Sequence, residues 1–147
     1  MKKSFETFEH KADIGIRGYG KTLEEAFSNS LKALATLLTE NINFSKLIPS
    51  LSSNIILSAE ELDELFIIFI NKTLSISYIE NILFFEFRGS IKWNSQKKEY
   101  NLNGKIMGEN FDPEKFGYGV EVKGATFTMA KVEKKGDIWI AQCVVDV

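Results

Sequence analysis

Two carboxylates have the clearest chemical potential in this chain. Asp13 closes the polar stretch His10-Lys11-Ala12-Asp13, and Asp146 lies one residue before Val147. Val144 and Val145 carry an apolar run almost to Asp146, which argues for a held strand rather than a frayed end. A held segment brings together the Asp146 carboxylate, the Val147 backbone and a Val147 terminal carboxylate. If the first and last strands are neighbours, Asp13 adds another oxygen source. Clustered oxygens suit hard cations such as calcium, magnesium or manganese. Each acid also has a plainer role. An aspartate in a turn accepts local backbone hydrogen bonds, and one near a chain end is simply solvated.

Other reactive residue types are scarce. His10 is the only histidine and Cys143 the only cysteine, which excludes a disulfide within the chain and any thiolate or histidine-rich metal cage. Cys143 alternates with Trp139, Ala141 and Val145 and reads as a small buried apolar residue. His10, beside Glu9 and Asp13, reads as structural or surface, although it could act alone as an acid or base. Lys123, in Val120-Glu121-Val122-Lys123-Gly124, fits the outward side of an alternating strand or a cation aimed at a phosphate or a partner carboxylate. Gly18-Tyr19-Gly20 precedes a helix but lacks the rest of any nucleotide-binding signature, so it reads as a turn.

The composition supports one folded unit spanning residues 1–147. A chain of this length buries roughly 70% of its unfolded surface without a staple. Twelve Phe, four Tyr and two Trp supply its core and exclude disorder. Eighteen basic against twenty acidic residues give a net charge of -2, without the basic excess that direct duplex binding requires. The N-terminus has no apolar leader and no stretch reaches bilayer length, so the expectation is a soluble cytoplasmic protein without a membrane partner.

The elements that must position these residues follow from periodicity. Residues 5–9 and 14–19 read as strands around the His10–Asp13 turn. Thr22-Leu23-Glu24-Glu25 is a capping box opening a helix whose stripe is Phe27, Leu31, Leu34 and Leu38, ending near Glu40-Asn41. After an irregular stretch over 41–52, residues 54–57 form a short strand. Ser58-Ala59-Glu60-Glu61 resembles a second capping box, opening a helix that buries Leu62, Leu65, Phe66 and Phe69. Strands are expected over 82–87, 91–93 and 99–106, then a loop over 108–119. A strand from Val120 continues through Phe127 and Met129, and a final strand covers 138–145. This order predicts an α+β fold, with two helices packed on a largely antiparallel, mixed sheet.

Combined, these segments resemble the archease family over essentially the whole chain. The specific block is Glu9-His10-Lys11-Ala12-Asp13-Ile14-Gly15-Ile16 followed by Gly20-Lys21-Thr22-Leu23-Glu24-Glu25-Ala26-Phe27. Glu60-Glu61-Leu62, Glu121-Val122-Lys123-Gly124-Ala125-Thr126 and Val144-Val145-Asp146-Val147 follow in the family's order. The resemblance implies a non-enzymatic accessory protein. It would activate the GTP-dependent RNA ligase of tRNA splicing and RNA repair, promoting ligase guanylylation and repeated turnover. RNA would be met only through that ligase. The resemblance further implies a divalent ion, calcium foremost, on Asp13, Asp146 and Val147. It marks Lys123 as a functional residue and retains His10, which would orient the Asp13 turn.

The chain departs from the family at Phe127-Thr128, where a Tyr-His pair is usual, and it lacks a histidine between Gly108 and Gly119. Neither position belongs to the implied metal triad. Two other functions compete. One is a chaperone or modulator of a tRNA-modifying enzyme such as a methyltransferase, with no dependence on metal. The other is a metal-dependent hydrolase, which the single histidine and the lack of a second carboxylate cluster disfavour.

Overall fold

The computed structural model describes residues 3–147. Strands β1 (Phe5–His10) and β2 (Asp13–Gly20) lead into helix α1 (Leu23–Leu38). A 3-10 turn over Phe44–Lys46 precedes β3 (Leu51–Ala59) and helix α2 (Leu62–Glu80). Then come β4 (Ile82–Asn94), β5 (Glu99–Asn110), the one-turn helix α3 (Pro113–Phe116), β6 (Gly124–Ala125), β7 (Lys131–Lys135) and β8 (Ile138–Asp146).

The α+β class holds, but the strands form two sheets rather than one. The first runs β1-β2-β8, with β6 and β7 both pairing along the far side of β8. The second runs β3-β5-β4. All six strand pairings are antiparallel, so the mixed character anticipated for the sheet is absent among the described residues. The strands of the second sheet satisfy one another, while the N-terminal hairpin recruits the C-terminal strand. Each sheet then needs cover for one apolar face, and α1 and α2 provide it by contacting strands of both sheets. Phe27 of α1 meets Phe66 of α2 at 5.1 Å, and Phe69 of α2 meets Phe87 of β4 at 5.4 Å, both edge-on.

Helix α1 begins as its sequence dictates. Thr22 accepts the Glu25 N–H at 3.0 Å, and the Glu25 carboxylate accepts the Lys21 N–H at 2.8 Å, one residue before the cap. The second expected capping box does not form. Ser58 and Ala59 belong to β3, where they pair with Asn101 and Tyr100, and α2 starts after Glu61 with no side-chain cap. The β3–β5 ladder takes the main chain that a helical turn would have used. At its other end α2 stops at Asn81, which adopts the left-handed conformation (φ 58°) and donates its N–H to Ser77.

Both helices also protect a sheet edge. Ser28 and Glu24 of α1 accept the Phe87 and Ile91 N–H groups of edge strand β4, each at 2.9 Å. Asp63 and Asn71 of α2 accept the Val132 and Ala125 N–H groups of β7 and β6, each at 2.8 Å. Open edge amides are sites for unwanted strand addition, and these side chains close them.

The strand expected from Val120 to Met129 is reduced to Gly124–Ala125. Gly119 and Val120 donate their N–H groups to the Leu38 and Leu37 carbonyls at the end of α1, at 3.1 and 2.8 Å. Val120 and Val122 alternate like strand residues, but unpaired helix carbonyls capture the main chain first. The two apolar runs over 82–93 join into the single strand β4, whose register shifts between Phe84 and Glu86.

Candidate functional site

The β1–β2 hairpin closes on His10 opposite Asp13, with Lys11 in the turn at φ 55°. The polar tetrad therefore turns where its composition predicts. From there β2 runs antiparallel to β8, with Ile14 opposite Val145. This register places Asp13 beside Asp146 and Val147. The contact is direct, because Asp13 Oδ1 accepts the Val147 N–H at 3.4 Å.

On the other side of β8, Gly124 pairs with Asp146, and the Lys123 N–H donates to the Asp146 carbonyl at 2.8 Å. One end of the first sheet thus gathers all five residues singled out in the sequence: Asp13, Asp146, Val147, Lys123 and His10. Val145 is fully buried beneath them, so Asp146 is anchored although it is itself exposed. Lys123 is exposed and makes no ion pair with any described residue.

The donor chemistry fits a hard cation. Two carboxylates and a main-chain oxygen are oxygen ligands of the type that calcium and magnesium select. No group of three or more His, Cys, Asp or Glu side chains arranged for a metal occurs among the described residues, so His10 does not complete such a set. A cation held here would keep water in most of its coordination shell.

Behind this end lies a polar network that sequence reasoning missed. Register aligns Glu6, Arg17, Gln142 and Lys131 in one row across four strands. Arg17 donates to Glu6 at 2.6 Å and to Gln142 Oε1 at 2.7 Å, and its guanidinium sits 4.4 Å over the Phe8 ring. Gln142 donates in turn to the Met129 carbonyl at 3.0 Å. Tyr19 also donates its hydroxyl to Glu6. The Tyr19 and Arg17 hydrogen bonds hold the Glu6 carboxyl down at about 2, well below its ordinary range. Burial and the neighbouring Glu6 push the Tyr19 phenol up. The network was legible in principle, because the hairpin that pairs His10 with Asp13 also pairs Glu6 with Arg17.

The network fixes the turn over residues 126–130. Its Met129 is left-handed at φ 53°, and Thr128 accepts the Val144 N–H at 3.1 Å. Phe127 and Met129 are exposed there. Cys143 is buried in β8, as its alternation indicates, and burial pushes its thiol up to about 12. It is no nucleophile in this state.

The fold and this site define a small antiparallel α+β protein in which paired strand ends, rather than a cavity, present two carboxylates and a free lysine. Residues 5–147 match the model of the Archease protein family (MTH1598/TM1083), and the chain belongs to that family. It is 38% identical to the protein archease of Pyrococcus furiosus over 146 residues, covering 99% of each chain. It is 37% identical to the Sulfurisphaera tokodaii archease over 145 residues, again with 99% of each covered. The solution structure of Methanobacterium thermoautotrophicum protein 1598 superposes with a TM-score of 0.79 at 28% identity, over 98% of this chain and 99% of that one. The crystal structure of a Thermotoga maritima archease, described as a possible chaperone, shares the fold with a TM-score of 0.56 at 18% identity, over 100% of this chain and 98% of that one. No helix among the described residues is long and apolar enough to cross a membrane.

Proposed function

We propose that this chain is a non-enzymatic cytoplasmic accessory protein that activates a GTP-dependent RNA ligase acting in tRNA splicing or RNA repair. It promotes guanylylation of the ligase and its multiple turnover, and it meets RNA only through the ligase. The observation that carries the reading is the juxtaposition of Asp13 and Asp146 at paired strand ends in a member of the archease family. Asp13, Asp146 and a main-chain oxygen of Val147 hold a divalent cation, calcium foremost, with magnesium or manganese as alternatives. Once bound, such an ion supplies positive charge where phosphate oxygens gather negative charge.

The chain's own groups do the rest. The Lys123 N–H on the Asp146 carbonyl holds the Lys123 main chain beside Asp146, within reach of the same strand end. That ammonium contacts a phosphate or an acidic group of the ligase. His10 holds the turn that aims Asp13. Phosphoryl transfer responds mainly to positioning and electrostatics, so an accessory protein matters without supplying a nucleophile.

The test is multiple-turnover RNA joining by the cognate ligase, with and without this protein and with Asp13→Ala. Wild type restores turnover and the folded variant does not. Normal activation by a folded Asp13→Ala protein would sink the carboxylate site. No effect of the wild type would remove the ligase reading and move the modulator of a tRNA-modifying enzyme, such as a methyltransferase, into its place. Binding to that enzyme would then be indifferent to chelation.

A further inference from the structure

A cleft of about 270 Å³ opens between the ends of α1 and α2 and the chain leaving α3. Its walls include Leu38, Tyr78, Phe111, Tyr118 and Val120, with Glu121 also lining it. Phe111 and Tyr118 stack at 5.6 Å with their planes 25° apart, so Phe111 backs the Tyr118 ring. Tyr118 is 72% exposed and has no other ring against it.

Most of the polar side chains around this cleft already have partners. Tyr78 donates its hydroxyl to the Val122 carbonyl at 2.6 Å and accepts the Val122 N–H at 3.2 Å. Ser77 donates to the Ile82 carbonyl at 2.5 Å, and the Asn81 amide donates to the Phe111 carbonyl at 3.2 Å. The Gly119 and Val120 N–H groups already serve α1. That leaves the Tyr118 hydroxyl and, as the one charged lining group, the Glu121 carboxylate, which pairs with no cation among the described residues. It lies close enough to Tyr78 that its charge joins burial in pushing that phenol up, against the Val122 hydrogen bond.

This inventory selects the ligand. No Lys, Arg or His is among the described residues lining the cleft, and its one charged lining residue is Glu121, so an anion meets repulsion there. Aromatic faces and one carboxylate attract a cation. The exposed Tyr118 ring and the two carboxylate oxygens favour a planar guanidinium, which stacks and bonds in a fork, over a strongly hydrated ammonium. We infer that the cleft receives an arginine side chain of a partner protein, its stem along Leu38 and Val120, its plane on the Tyr118 ring and its N–H groups on Glu121. Tyr78 grips Val122 between Glu121 and Lys123, so an arginine seated here anchors its protein beside the Lys123–Asp146 end of the first sheet. The inference stands whether or not that protein is an RNA ligase.

The experiment is an amide NMR titration of the whole chain with acetyl-Gly-Arg-Gly-amide. The same peptide carrying citrulline (the uncharged isostere of arginine) and the small amine agmatine serve as parallel probes. The arginine peptide shifts Tyr78 and residues 118–121 saturably, and the citrulline peptide does not. Glu121→Gln and Tyr118→Ala each weaken binding about fivefold, as expected from losing one charge-assisted or cation–π contact. Both positions are exposed, and an unchanged spectrum elsewhere establishes that each variant is folded. Equal binding of the citrulline peptide, indifference to Glu121→Gln, or no shifts at all would overturn the inference. Binding of agmatine without binding of the peptide would overturn the partner-protein occupant.

Discussion

The two sheets of this molecule are held by different means. The β3-β5-β4 sheet has strands of 9, 12 and 13 residues, and its ladders run nearly their full length. Its inner side chains, Ile55, Leu102, Ile106, Phe87 and Ile91, are buried in the core. The β1-β2-β8 sheet is shorter in its outer members and adds a row of polar side chains to its buried Ile16, Ala141, Cys143 and Val145. Arg17, Glu6, Tyr19 and Gln142 cross its strands, and Asp13 extends the pairing to Val147. All five candidate functional residues lie on or beside this polar sheet or its border with β6. The contrast is physical: an apolar ladder gives rigidity without chemistry, whereas a polar row gives up some packing and leaves charged groups positioned at the surface.

The sharpest way to break the comparison is to crowd one glycine in each sheet. At Gly108 of β5, an added Cβ would lie 1.9 Å from the Leu83 carbonyl oxygen, so backbone must move. Gly108→Ala is expected to cost about 3 kcal/mol, the upper end of overpacking effects. At Gly15 of β2, the added Cβ would strike the Phe8 ring at 2.1 Å, and that ring can swing away. Gly15→Ala is expected to cost about 1 kcal/mol and to release Phe8 from the Arg17 guanidinium. Urea unfolding of the two variants checks the order. Equal losses would mean that the polar sheet is as unyielding as the apolar one.

Glu6 gives the next largest effect and a distinct pH signature. Its folded-state pKa of about 2 lies below the ordinary value of 4.5. The depressed carboxyl contributes stability that is fully present above its ordinary value and is lost as pH falls through the folded value. Glu6→Gln is therefore expected to cost about 2 kcal/mol at pH 7, the range of hydrogen bonds to a charged group. The gap between variant and wild type should narrow between pH 4.5 and about 2. Thermal unfolding across that window checks it. A gap independent of pH would show that the row contributes packing rather than charge.

The same contrast explains what could be read in advance. The first hairpin and α1 were legible because turn chemistry, alternation and a capping box agree locally. The Ser58–Glu61 box misleads because β5, over forty residues away, claims Ser58 and Ala59 for a ladder. Val120 and Val122 alternate without pairing because the end of α1 and Tyr78 take their main-chain groups. Asp13 and Asp146 were visible as residue types, but only the β2–β8 register makes them neighbours. The arginine cleft is least legible of all, since its walls come from four separate stretches of chain.

The smallest expected change in stability belongs to Asp13→Ala, the substitution with the largest expected loss of activation. Asp13 is half-buried, and the one hydrogen bond its side chain makes with another described residue is the 3.4 Å contact with the Val147 N–H. Removing a long bond at a solvated strand end costs about 0.5 kcal/mol. Without calcium, variant and wild type should therefore melt almost together. With calcium they should separate, because a ligand that binds only the folded state stabilises it in proportion to its occupancy. A wild-type Tm that rises with calcium while that of Asp13→Ala stays still ties the polar sheet end to cation binding, independently of any ligase. Two melting curves that move together under calcium would place the ion elsewhere and leave Asp13 as a turn residue.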